Sequence, residues 1–121
     1  MNKKSFSFLL LFALILISSC SSIASLPQEP DAPVNNTLQS LSIYEARLSS
    51  YVMYLQTFLV KTKEKFKDKD YPSFTFFDTT LLQKTHTMKA VKENIQHLKH
   101  YISIIKPIVN TIYKKYGKLK K

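Results

Sequence analysis

Glycine is almost missing from this 121-residue chain: Gly117 is the only one, and tryptophan is absent altogether. Tight two-residue hairpins and phosphate-cradling loops both draw on glycine, so its scarcity argues against a β-rich fold and a nucleotide loop. Cysteine is equally scarce. Cys20 stands alone, so no disulfide within the chain can staple the fold, and stability has to come from packing. Eight acidic residues oppose eighteen basic ones, a formal net charge of +10. Long apolar runs are lacking too. The uncharged stretch from Phe6 to Ile17 falls well short of the about 20 residues a helix needs to cross a bilayer, which leaves a transmembrane anchor as the lesser reading of it.

That stretch follows Lys3 and Lys4 and ends in Ile17-Ser18-Ser19-Cys20, the three-part shape of an export signal. The ending resembles the lipobox of bacterial lipoproteins, an aliphatic residue followed by two small ones and a cysteine. The resemblance implies cleavage between Ser19 and Cys20, a diacylglyceryl group on the Cys20 sulfur and acylation of the new N-terminus. That covalent lipid is the only prosthetic group expected. Cleavage by the ordinary signal peptidase after Ala24 is the competing reading, because Ser22-Ile23-Ala24 has the small residues it requires. Each buried methylene contributes about 0.8 kcal/mol and stable anchoring takes two or more chains, so a triacylated Cys20 fixes the protein to a membrane.

Removing residues 1–19 leaves about 100 residues, enough for one small domain. Residues 20–37 are small and polar, with Pro27, Pro30 and Pro33, and read as an extended tether rising about 3.1 Å per residue, long enough to hold the folded part some tens of ångströms off the bilayer. Asn35-Asn36-Thr37 matches a glycosylation sequon, which carries no weight after bacterial export. Charge is uneven beyond that point. From Cys20 to Val60, Arg47 faces Glu29, Asp31 and Glu45; from Lys61 to Lys121, fifteen lysines face Glu64, Asp68, Asp70, Asp78 and Glu93. In a cytosolic protein this would suggest nucleic acid. An exported lipoprotein meets none, which leaves polyanionic sugars, acidic lipids, acidic proteins, or simple solvation of the lysines.

Leu41, Tyr44, Leu48, Tyr51, Val52, Leu55, Phe58, Leu59 and Phe66 recur every three or four residues and predict a helix over about 38–69, begun by a capping box at Ser42–Glu45. Lys61, Lys63, Lys65, Lys67 and Lys69 suit its carbonyl end, and Pro72 stops it. In the loop over about 70–78, Phe74, Phe76 and Phe77 are expected to plug one end of the core. Thr80–Gln83 offers a second capping box, opening a helix over about 79–117. Its seam is Met88, Val91, Ile95, Leu98, Ile102, Ile105, Val109, Ile112, Tyr116 and Leu119, an unbroken alternation of three and four. Pro107 removes one amide and crowds the preceding turn, so this helix is expected to kink there or to break into a short third helix. The fold class is all-α: a long antiparallel hairpin or a small three-helix bundle. Such a hairpin covers its seam poorly, and Tyr54, Tyr101, Ile104, Ile108 and Tyr113 become rim residues or a self-association face, with a homodimeric four-helix bundle as one outcome.

No catalytic constellation is present. His86, Glu93, His97 and His100 fall near one helical stripe and are weak zinc candidates, but the stripe points away from the seam and lacks supporting partners. No serine is placed beside a histidine and an acid, so an enzyme is not expected, a zinc-dependent activity being the remote alternative. The candidate sites are the lysines of the distal tail. Lys114, Lys115, Lys118, Lys120 and Lys121 are candidates for electrostatic capture of sulfated glycosaminoglycans, and Lys121, with its own carboxylate, for a kringle-type lysine site.

A lysine-rich, glycine-poor helical chain on a lipobox and proline-containing tether is similar to the small plasmid-encoded surface lipoproteins of Borrelia-type spirochaetes, in particular their orf-D group. The similarity implies an outer-membrane, surface-exposed address and contact with host or vector molecules, and Ser21 after the lipidated cysteine is compatible with it. A binding or adhesion module is therefore expected. The alternative is a periplasm-facing assembly protein whose seam pairs with a partner helix.

Overall fold

The computed structural model describes residues 26–117. The export signal, Ser19 and Cys20 of the cleavage site, the Ala24 alternative and Lys118, Leu119, Lys120 and Lys121 lie outside the described residues. Within them are two long helices and no strand: α1, Leu38–Phe66, and α2, Met88–Gly117. Neither is long and apolar enough to cross a membrane.

The α1 core is Leu41, Tyr44, Leu48, Tyr51, Val52, Leu55, Phe58 and Leu59, and it meets Val91, Ile95, Leu98, Tyr101, Ile102, Ile105, Val109, Ile112 and Tyr116 of α2. These are the stripes marked by the spacing of apolar residues, with three adjustments, the first being that Tyr101, expected at the rim, joins the core. Phe66 is only half-buried, and Met88 is exposed at the first turn of α2. Truncating a fully enclosed member such as Leu98 to alanine is expected to cost about 2–5 kcal/mol.

The direction of packing differs from the expected antiparallel hairpin. Asn94, near the start of α2, bonds Glu45, near the start of α1. At the other extreme Phe66 stacks on Tyr116 with ring centroids 4.0 Å apart. Starts meet starts and ends meet ends, so the two helices run in parallel. The reason is the length of the connection. Residues 67–87 are not helical apart from a 3-10 turn at Thr79–Leu81. A 29-residue helix is about 43 Å long, and twenty extended residues reach beyond 60 Å, so the chain has room to travel back along the helix pair before starting α2.

Local chemistry explains the shifted boundaries. Thr37, not Ser42, caps α1, its hydroxyl accepting from the Ser40 amide at 3.1 Å. Ser42 lies inside the first turns with its hydroxyl enclosed and unpartnered, and Glu45 is drawn to Asn94 instead. The helix stops at Phe66, earlier than expected, because Lys67 turns left-handed (φ 46°, ψ 42°) with its amide on the Lys63 carbonyl, and Asp68 then takes the Asp70 amide at 2.9 Å in a side-chain turn. At the second predicted cap, Asp78 accepts from the Thr80 amide and hydroxyl, which closes only one 3-10 turn. Thr87 is the cap that starts α2, accepting from the Ala90 amide at 3.1 Å. Pro107 sits inside a single continuous α2, so no third helix forms. Pro107 and Ser103, whose carbonyl loses its amide partner, both lie on the solvated side, where water replaces the bond.

Two irregular segments cover the seam that a bare helix pair leaves open. The connection crosses one side: Phe77 packs edge-on to Tyr101 at 5.4 Å over the middle of the pair, so Phe74 and Phe77 cover a flank and do not plug an end, while Phe76 stays largely exposed. It buries Tyr101 and half-buries Ile108, while Tyr54 and Ile104 of the same expected rim stay exposed. The other side carries residues 26–33. Leu26 packs on the core, Pro27 and Pro30 border a cleft whose other wall includes Ile43, Arg47 and Tyr54, and Glu29 pairs with Lys106 at 3.2 Å. This part of the expected free tether is a strap laid back along the helices.

Candidate functional site

Parallel packing brings the carbonyl ends of both helices to one pole of the molecule. Lys61, Lys63, Lys65, Lys67 and Lys69 therefore share that pole with Lys114 and Lys115, and all seven are exposed. An antiparallel pair would have separated the two lysine groups by the length of a helix. The carbonyl ends of two helices also superpose their negative partial charges, which the lysines complement.

The centre of the pole is aromatic. Phe66 and Tyr116 stack within 11° of parallel, the Lys65 ammonium sits 5.5 Å from the Phe66 ring centre, and that of Lys115 lies 5.4 Å from the centre of Tyr116. Asp68 ties the construction together, accepting from the Lys115 ammonium, the Tyr116 hydroxyl and the Asp70 amide. Those hydrogen bonds, Lys115 first, hold the Asp68 carboxyl well below the usual carboxylate range. The same partnership raises Lys115, and with burial it raises Tyr116. Lys115 is thus committed to Asp68, whereas Lys61, Lys67, Lys69 and Lys114 are exposed along the same end of the helix pair, which also carries Glu64 and Asp70. Several ammonium groups gathered at one pole suit an anionic, extended ligand that meets several charges at once.

Of the tail lysines singled out in the sequence, Lys114 and Lys115 belong to this pole, and Lys118, Lys120 and Lys121 are outside the described residues. In the sequence the Lys61–Lys69 run suits the end of the first helix and adds to the basic distal half, with no link to Lys114 and Lys115 in particular. Its part in the pole follows from helix direction, which a periodic pattern does not encode.

The zinc candidates are not brought together. Glu93 accepts from the Gln83 side chain, His86 is exposed in the connection and His100 is exposed on α2, and among the described residues no three histidine, cysteine or acidic side chains form a group able to hold a metal ion.

A second polar cluster positions the site without belonging to it. Asn94, 2% exposed, donates to Glu45 at 2.6 Å and to the Gln83 carbonyl at 2.9 Å, and accepts from the Gln83 amide at 2.8 Å. A buried amide that is satisfied only in one alignment fixes register. Further along, Tyr101 donates to the Thr75 carbonyl at 2.6 Å, the Gln56 side chain accepts from the Phe77 amide at 2.6 Å, and Tyr71 donates to the Leu59 carbonyl at 2.8 Å. Burial pushes the Tyr71 and Tyr101 hydroxyls up from their ordinary value. Asn94 and Tyr101 are seven residues apart on the flank of the predicted seam, and that spacing is the signal that marks them.

Compared with known proteins, residues 25–118 match the Borrelia orf-D family. The chain is similar to the outer membrane lipoprotein BBA14 of Borreliella burgdorferi, 58% identical over 118 residues that cover 98% of each protein.

Proposed function

This chain belongs to the Borrelia orf-D family, and from that premise we propose that it is a lipoprotein of the outer membrane, anchored through Cys20, that acts by binding polyanions at its basic pole. The name of its relative, an outer membrane lipoprotein, supports the address, and the lipobox supplies the anchor point. Held on the outside of the cell, the domain uses this pole to take sulfated polysaccharide chains of host or vector, without catalysis. One observation carries the reading: parallel helices, joined at that end by the Phe66–Tyr116 stack, bring Lys61–Lys69 and Lys114 to one pole.

The test is retention on immobilised heparin. The protein is expected to bind at low salt and to elute by about 0.5 M salt, where the screening length has fallen to about 4 Å. Replacing Lys61, Lys65 and Lys69 with glutamate is expected to abolish retention, while replacing Lys84, Lys89 and Lys92, near the opposite pole, leaves it largely intact. Equal losses from the two triple variants would show that total charge, and not the pole, governs binding. Protease shaving of intact cells tests the address: the protein disappears if it is surface-exposed and survives if it faces the periplasm.

A further inference from the structure

The strap changes how the anchored domain can sit. Leu26 is packed against the core, and Glu29 reaches across to Lys106 at 3.2 Å, near Tyr44 and Tyr51, whose hydroxyls are raised first of all by burial. The fold therefore takes hold of the chain at residue 26. Only residues 21–25 separate Leu26 from Cys20, and six Cα steps reach about 20 Å at full extension. The point of attachment is also not at an end. Pro27 and Pro30 lie beside α1 residues Ile43 to Tyr54, and Glu29 beside Lys99 to Asn110 of α2, close to the middle of helices about 45 Å long. An end-on domain would hold this midpoint about 22 Å from the surface and would need the leash fully stretched; a domain lying on its strapped side fits well within it.

That side is basic. Lys92, Lys99 and Lys106 recur every seven residues, a spacing that keeps them on one line of α2, and Arg47 lies across the strap on α1. The opposite side carries the aromatic connection. We propose that the domain lies side-on, with the strap and the exposed Lys92 and Lys99 against acidic lipid headgroups, so that the connection faces outward and the basic pole points along the membrane. This rests on lipidation of Cys20.

The experiment uses the full lipidated protein, its only cysteine blocked by lipid, with one thiol introduced as Ser103→Cys on the strapped side or Ile104→Cys on the connection side. Each is labelled with a fluorophore and reconstituted into vesicles of phosphatidylcholine with a minority of phosphatidylglycerol, some of the lipid carrying a headgroup quencher. Quenching is expected to be severalfold stronger from Ser103→Cys than from Ile104→Cys. The contrast should shrink in pure phosphatidylcholine. It should vanish in Glu29→Lys, which sets two ammonium groups against each other, releases the strap and lengthens the leash. Equal quenching at both positions, or stronger quenching from Ile104→Cys, in protein whose mass shows the lipid would overturn the orientation alone. A contrast unchanged between the two vesicle types would overturn the headgroup contact. A mass showing Cys20 unmodified would instead overturn the anchoring on which both rest.

Discussion

The strap and the connection both lie along the helix pair, yet they are fastened by different physics. The connection is held by Tyr71, Thr75, Phe77 and Gln83, each in a part-buried hydrogen bond to α1 or α2, with Phe74 and Phe77 packed on the core. The strap is held by the half-buried Leu26, two prolines and one ion pair whose side chains are 42% and 32% exposed. Breaking a buried polar contact leaves a desolvated group without a partner, whereas breaking an exposed ion pair returns both charges to water. The connection is accordingly part of what makes the helices parallel, and the strap is a removable fastening on a fold already complete.

The largest effect that bears on this contrast is expected from Asn94→Ala. It orphans the Gln83 amide and carbonyl together and frees Glu45, and should lower unfolding free energy by about 3 kcal/mol in urea titration. A loss no larger than that of a surface mutation would mean that the connection is not fastened there. Tyr101→Phe removes only the bond to Thr75 and should cost about 1 kcal/mol by the same titration. Asp68→Asn sharpens the picture at the pole through pH. The Asp68 carboxyl is held below its ordinary value of about 3.9, so its contribution is present above about pH 4 and is lost as pH falls further. Melting curves of parent and variant should differ at neutral pH and converge in acid; a gap independent of pH would contradict the assignment. Glu29→Gln should be the mildest, below about 0.5 kcal/mol. Amide exchange would show faster opening confined to residues 26–33.

Much of the fold is legible in the sequence because burial on a helix repeats every three to four residues. Leu48, Leu55, Leu59, Leu98, Ile105 and Val109 are all among the most enclosed side chains, and each stood on a predicted stripe. Direction is not legible in that way, since a stripe reads the same whether its partner runs up or down. It depends on where the connection ends, and Thr80-Leu81-Leu82-Gln83 has the spacing of a helix start while Asp78 confines it to a single 3-10 turn. Misplacing that start by nine residues leaves too little chain for the return path and enforces a hairpin. The basic pole was half-legible for the same reason: both lysine groups stand out in the sequence, and only the geometry of Asn94 with Glu45 and of Phe66 with Tyr116 joins them.

Helix direction is therefore what the binding proposal stands on, and paired spin labels measure it. In the Cys20→Ser chain, labels at Lys65→Cys and Lys114→Cys should lie within about 20 Å of each other, and labels at Lys65→Cys and Lys89→Cys about 35–40 Å apart, given about 1.5 Å of rise per helical residue. The reverse order, a long first distance and a short second one, would mean antiparallel helices and would dissolve the basic pole.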